Sequence, residues 1–275
     1  MEVAEAVAEL PPIPASISEV IAACADQAMT AGRLSQVVLR DQSLTANLLK
    51  LANSPFHGHA RRVTTVTEAV VLLGLPAITS LAISSHASRL LNGALPGYGL
   101  QQGELWRHSI AVAFTARRLA VEVELAPVEE AFVAGLLHDI GKTILSGHME
   151  NAFDEVTRIA QERRIPFHAV ETELLGVDHA ELGAQVAASW SLPAGLDEAI
   201  RRHHSPHEAT LKPPLAHCVH LADAACMMLG VGLGVDGMMH AIDPESIAVL
   251  GVNGARLQQL MEDVVPLMTG DSPGR

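Results

Sequence analysis

The chain has 275 residues, enough for one large or two modest domains with a substantial buried core. Hydrophobic residues make up 49% but aromatics only 3%, a mixture that favours closely packed helices over a β-sandwich. A formal net charge of −13, from 31 acidic against 18 basic residues, excludes nucleic-acid binding through an overall basic surface.

The start, Met1-Glu2-Val3-Ala4-Glu5, lacks the basic residues of a signal peptide. Cys24, Cys218 and Cys226 form no Cys-x-x-Cys and read as core residues in a reducing compartment, so a cytoplasmic location is expected. Leu10-Pro11-Pro12-Ile13-Pro14 is an extended lead-in, after which Ser16 or Ser18 caps a helix running to about Met29. Helices follow at about Leu34–Arg40 and Ser43–Ala52. Thr65-x-x-Glu68 is a capping box opening the helix Val66–Leu73, and Pro76 opens the next, to about Leu91. Ala69–Ser85 carries no charge, but Gly74 and Pro76 break it. It is also shorter than the roughly 18–20 apolar residues of a membrane span, so two buried helices are expected and no membrane.

Asn92–Gly99 is a turn-rich boundary. Beyond it helices are expected at about Gly103–Val121, Pro127–Leu137, Lys142–Gly147, Met149–Arg163, Pro166–Leu174, Asp178–Ser189, Ala194–His203, Pro214–Leu229 and Asp243–Met261. Asp178-x-x-Glu181 is a second capping box, which places His179 first in its helix. No strand signal and no internal repeat stands out, and Gly270–Arg275 should fray. The fold class is therefore all-α.

The chemistry gathers in the second half. Leu136-Leu137-His138-Asp139-Ile140-Gly141-Lys142 delivers a histidine and a carboxylate to the end of an apolar run, where both can reach one metal ion. Read without chemistry, the same stretch is a helix C-terminus, with Gly141 as its left-handed cap and Lys142 complementing the dipole. Glu104 and His108 stand four residues apart, one helical turn, and can chelate a single ion. His179 begins a helix, His203-His204 ends one, and Asp223 lies inside an apolar helix, where a carboxylate needs a metal or an ion pair. Each also has a plain reading, as a dipole acid, a helix start or a solvated helix end. Together they make five imidazoles and three carboxylates, an N/O set suited to Fe, Mn or Zn. Adjacent histidines point about 100° apart on a helix, which suits neighbouring ions and suggests two or three of them. The remaining histidines, His57, His59, His86, His148, His168, His207, His217, His220 and His240, read as structural, although His217 and His220 precede Asp223 at helical spacing.

The order Glu104…His108, His138-Asp139-x-Gly-Lys142, His179, His203-His204, Asp223 resembles the HD superfamily of metal-dependent phosphohydrolases. It is nearest to the ligand pattern of the HD-GYP cyclic-dinucleotide phosphodiesterases. The wider chain, from about residue 10 to 230, looks like an HDOD (HD-related output domain) protein. Its marks are Leu10–Pro14, Leu48–Ser54, Ala69–Gly74, Leu105–Ser109, Gly135–Gly141, Gly176–Gly183 with Trp190, and Ile200–Pro206. The resemblance implies an N-terminal helical bundle (1–95) packed on an HD-superfamily metal-binding domain (96–235), followed by a C-terminal helix and tail (236–275). It also implies a role in bacterial signal transduction, holding two or three ions, iron first, with Mn or Zn as alternatives. No receiver or GGDEF module fits in the remaining length, so input is expected from a separate signalling protein.

As an enzyme, the chain would hydrolyse a nucleotide-type phosphoester, with Asp139 as bridging ligand and proton acceptor and Lys142 against a phosphate oxygen. As a regulator, it would bind a signalling partner, the metal site being structural or redox-sensing. A third reading is a nucleotide bound without turnover. After His203-His204 comes Ser205-Pro206-His207-Glu208 rather than a Gly-Tyr-Pro loop, which sets the chain apart from HD-GYP enzymes.

Overall fold

The computed structural model describes residues 10, 12–26, 28–53, 62–125, 127–231 and 242–269. His57, His59 and His240, the first five residues and the Gly270–Arg275 tail lie outside the described residues. Among the described residues the fold is all-helical, as the composition implies; the one β-bridge pairs Leu95 with Leu100.

Two compact units are present, Pro12–Ala87 and the residues from Ser88 onward. The first contains α1 (Ala15–Ala25), α2 (Ala31–Val38), α3 (Gln42–Ala52) and most of α4 (Val66–Leu91). Leu34 and Val38 of α2, and Leu44 and Leu48 of α3, recur at four-residue spacing and are all buried, the stripe expected of amphipathic helices. Neither proposed serine caps α1: Pro14 holds that position with no side-chain cap, and the Ser16 hydroxyl donates to Asp41 Oδ2 at 3.0 Å. The helix ends at Ala25 rather than Met29, and the Asp26 carboxylate accepts from Ala28 N–H at 2.8 Å, an Asx turn in place of further helix. Thr65 and Glu68 do form the reciprocal box, with Glu68 N–H donating to Thr65 Oγ1 (3.2 Å) and Thr65 N–H to Glu68 Oε2 (3.3 Å). By length and composition Val66–Leu91 could cross a membrane. Gly74 (φ 77°, ψ 164°) leaves the helical region inside it, so two helices meet at a kink that a residue with a Cβ would not tolerate.

The second unit holds α5 (Glu104–Glu122), α6 (Val128–Leu137), α7 (Lys142–Met149), α8 (Phe153–Arg163), α9 (Phe167–Leu175), α10 (His179–Ser189), α11 (Leu196–Arg201), α12 (Pro213–Met228), α13 (Pro244–Leu250) and α14 (Gly254–Thr269). α12 is central to it, packing on α5, α6, α11 and α13, and every residue from Leu215 to Cys226 is buried. That explains why its sequence is apolar all round rather than along one stripe. The single helix expected at Asp243–Met261 is two, because Gly251 (φ 63°) terminates α13 in the left-handed conformation.

Candidate metal centre

Five stretches of the chain deliver the clustered side chains. α5 brings His108. The turn after α6 brings His138 and Asp139, with Lys142 opening α7. His179 is the first residue of α10, held there by Asp178, whose carboxylate accepts from Glu181 N–H at 2.8 Å. The box is half-formed, because the Glu181 carboxylate turns instead to Arg201 at 2.7 Å. His203 and His204 follow α11, and Asp223 comes from the buried body of α12. Three overlapping groups of donors result: His108, His138 and Asp223; His138, Asp139 and His203; and His179, His203 and His204.

Glu104 does not join them. At the start of α5 its carboxylate accepts from Gln101 N–H at 2.7 Å and lies 3.5 Å from Arg107, the dipole-acid reading of that residue. Gly141 also differs from the plain reading. Its backbone is right-handed (φ −61°, ψ −24°), so it is not a left-handed cap. A Cβ there would overlap the His179 carbonyl oxygen and stand 2.8 Å from its carbon. Glycine thus allows the turn bearing His138 and Asp139 to lie directly against the start of α10.

Asp139 sits between two sets of donors. Its Oδ2 lies 3.3 Å from His138 Nε2 and 3.7 Å from His108 Nε2, and His108 Nε2 is 3.0 Å from Asp223 Oδ1. Its Oδ1 lies 3.3 Å from His179 Nε2 and 3.9 Å from His203 Nε2, and His179 Nε2 is 2.9 Å from His204 Nε2. Two donors about 2.0–2.2 Å from one ion, at 90–110°, stand about 2.9–3.5 Å apart, so the shorter of these separations match edges of a coordination polyhedron.

The imidazoles are oriented for such a role. Nδ1–H of His138 donates to the Gly135 carbonyl (2.8 Å), that of His203 to Ile200 (2.7 Å), and that of His108 to Val231 (3.0 Å). A carbonyl only accepts, so each Nδ1 carries a proton, and a cation that displaces any proton from Nε2 would meet the lone pair there. Those three Nε2 atoms are buried and, among the described residues, have no hydrogen-bond partner, a costly arrangement for an apolar interior and the natural one for a metal ligand. The residues present fit a site for divalent ions.

Electrostatics point the same way. Burial opposes a charge on His138, but Asp139 and Asp223 outweigh it and hold the imidazole at about 10. Burial also opposes ionisation of Asp139, yet His138 and Lys142 keep its carboxyl well below the usual range. His203 and His204 are driven well below theirs by burial and by the neighbouring imidazoles. Carboxylates that draw a proton onto one buried imidazole create the field that attracts a cation.

Three supports were not legible in the sequence. Glu171 of α9, fully buried, accepts from His179 Nδ1–H (2.7 Å), His179 N–H (2.8 Å) and the Tyr98 hydroxyl (2.8 Å). Nothing in the spacing of Val170-Glu171-Thr172 marks it; only the folding of α9 against α10 does. His168, half-buried, stacks on His204 with ring centroids 4.2 Å apart. His220, whose spacing to Asp223 was the one available signal, braces His203 from behind (Nδ1 to the carbonyl, 2.8 Å). Lys142 is buried with its Nζ on Asp139 Oδ2 at 2.6 Å, so its ammonium is engaged by that carboxylate.

A family model, the HDOD domain, matches residues 10–206. Among solved structures, an HDOD domain protein of unknown function from Geobacter sulfurreducens is 27% identical, with TM-score 0.68, covering 96% of this chain and 85% of that one. A candidate phosphohydrolase from Shewanella amazonensis SB2B is 25% identical, TM-score 0.72, with coverage of 96% and 93%. A candidate signal transduction protein from Marinobacter aquaeolei VT8 is 26% identical, TM-score 0.74, with 96% of this chain matching 58% of that one. An uncharacterised protein of Treponema pallidum (strain Nichols) is 28% identical over 229 residues, 82% of this chain, and the match spans only 44% of that relative's length.

Proposed function

This chain belongs to the HDOD domain family, and from that premise we propose that it is a metal-binding regulatory module of bacterial signal transduction. Asp139 is its shared ligand: Oδ2 with His108, His138 and Asp223 would hold one ion, and Oδ1 with His179, His203 and His204 a second. The observation that carries the reading is the set of three buried Nε2 atoms with no hydrogen-bond partner among the described residues, each on a ring whose Nδ1–H is committed to a backbone carbonyl. Bound ions of this kind supply Lewis acidity and, for iron, redox chemistry. The chain's own residues orient the donors, hold them out of water and balance their charge through Lys142. Iron as the resident metal, a cytoplasmic location, a signalling protein as partner and domain limits near residues 95 and 235 belong to the same proposal.

Protein produced in metal-replete medium is expected to carry two transition-metal ions per chain, iron foremost, by elemental analysis. Less than about half an equivalent of any such metal removes the reading.

Hydrolysis of a nucleotide-type phosphoester is the second reading, supported by the ligand set and by the likeness to the Shewanella protein. Against it, Lys142 is already engaged by Asp139. Cyclic di-GMP is expected to turn over weakly or not at all in the metal-loaded protein. A substrate of that size must be positioned, and a misplacement of about 1 Å alone can cost about 100-fold. After His204 the chain enters a 3-10 turn at Pro206–Glu208, and the only tyrosine, Tyr98, is buried on Glu171. Robust cleavage, followed chromatographically and abolished in Asp139→Ala, would make the protein an enzyme instead.

A further inference from the structure

α12 presents two buried histidines to α13. His217 Nδ1 lies 2.8 Å from the buried Ser246 hydroxyl, and His220 is specified on both ring nitrogens. His220 Nδ1 is 2.8 Å from the His203 carbonyl oxygen, which can only accept, so Nδ1 carries the proton. Its Nε2 therefore presents a lone pair, and it takes the backbone N–H of Asp243 at 2.8 Å. Asp243 is the N-cap of α13, with its carboxylate accepting from Glu245 N–H at 2.9 Å. A single imidazole thus spans from the first turn of α13 to the backbone of His203.

The His203 carbonyl is one of the groups past the end of α11 that the helix itself cannot satisfy. Its ring is fixed by Ile200 and aims Nε2 into the donor cluster. Where that carbonyl points decides where the ring stands, and His220 is what it points at.

We propose that His220 is a positioning residue that ties α13 to the ligand His203, so that metal binding and the seating of α13 are coupled. This rests on the metal reading above and extends it to an element that contributes no ligand. Coupling of this kind is reciprocal: an ion that fixes His203 tightens α13, and displacement of α13 loosens the ion.

The two hydrogen bonds of His220 can be separated by substitution in the full-length protein, with Co(II) as the probe. In His220→Asn the amide N–H₂ takes the place of Nδ1–H and keeps the His203 contact, while Asp243 loses its acceptor. His220→Gln does the reverse, reaching Asp243 and abandoning the His203 carbonyl. The glutamine variant is expected to bind Co(II) about tenfold more weakly, with an altered visible absorption spectrum, and the asparagine variant to stay within about threefold with the native spectrum.

In the wild type, Co(II) should slow hydrogen exchange of the Asp243 amide about tenfold, a readout that does not depend on either variant folding. Variants that lose affinity equally, or not at all, overturn the proposal, as does Asp243 exchange indifferent to the metal. Wild-type protein that takes up no Co(II) removes the metal reading itself, and this inference with it.

Discussion

Asp139→Ala is expected to empty the centre, lowering metal affinity by more than about 100-fold, while His148→Ala keeps the wild-type metal content. Asp139 faces both sets of donors, through different oxygens. His148, on α7 only nine residues away in sequence, is exposed and outside the three donor groups. The substitution has a second consequence. Lys142 is buried with its ammonium on Asp139, and taking away that partner leaves a buried cation, at a cost of about 3–5 kcal/mol.

Metal loss therefore has to be separated from unfolding. Lys142→Met in the Asp139→Ala background should recover much of the thermal stability without recovering the metal. Elemental analysis and thermal melts of the four proteins decide the matter. Equal metal loss in Asp139→Ala and His148→Ala would mean that the His-Asp reading is wrong.

How far the sequence could be read follows from what kind of signal each residue carries. The helices were legible because their stripes and caps are local: Leu34 with Val38, Leu44 with Leu48, and Thr65 with Glu68 lie within one turn of each other. The side chains that converge stood out because a histidine or aspartate inside an apolar helix is conspicuous by its cost, as Asp223 is in α12. Glu104 stands apart from the cluster, because i and i+4 spacing shows that two side chains can share a face, not that they do. At the first turn of α5, a backbone N–H and Arg107 were closer claims on it.

Glu171 and His220 were out of reach for the opposite reason. Each matters through a partner that only the packing supplies: Glu171 reaches the start of the next helix, and His220 reaches across to His203 and to Asp243, 23 residues later. Supports of this kind are non-local: nothing beside Glu171 marks it, and the helical spacing of His220 to Asp223 does not tell which partners it reaches.

Gly141→Ala is the other change with a large expected effect, and its reason is purely one of space. Gly141, the N-cap of α7, has right-handed φ/ψ that alanine adopts readily, so the lost freedom of the unfolded chain alone should stabilise the variant by up to about 1 kcal/mol. The added methyl, however, would meet backbone and not a yielding side chain: it overlaps the His179 carbonyl oxygen and stands 2.9 Å from Gly183 N. Relief requires α10 to move away from the His138–Asp139 turn as a body. His179 opens α10, and its Nε2 stands 3.3 Å from Asp139 Oδ1, so that movement opens one side of the candidate centre directly.

A destabilisation of about 1–3 kcal/mol is expected, together with weaker Co(II) binding. The control is Gly147→Ala in α7, where a methyl meets nothing within 4 Å. That variant should keep its metal and melt at or slightly above the wild-type temperature. Should Gly141→Ala instead match Gly147→Ala in melting temperature and in Co(II) titration, the close approach of α10 would not be what holds His179 to Asp139. The burden of placing it would then fall on the Glu171 carboxylate alone, which grips both the ring and the backbone N–H of that histidine.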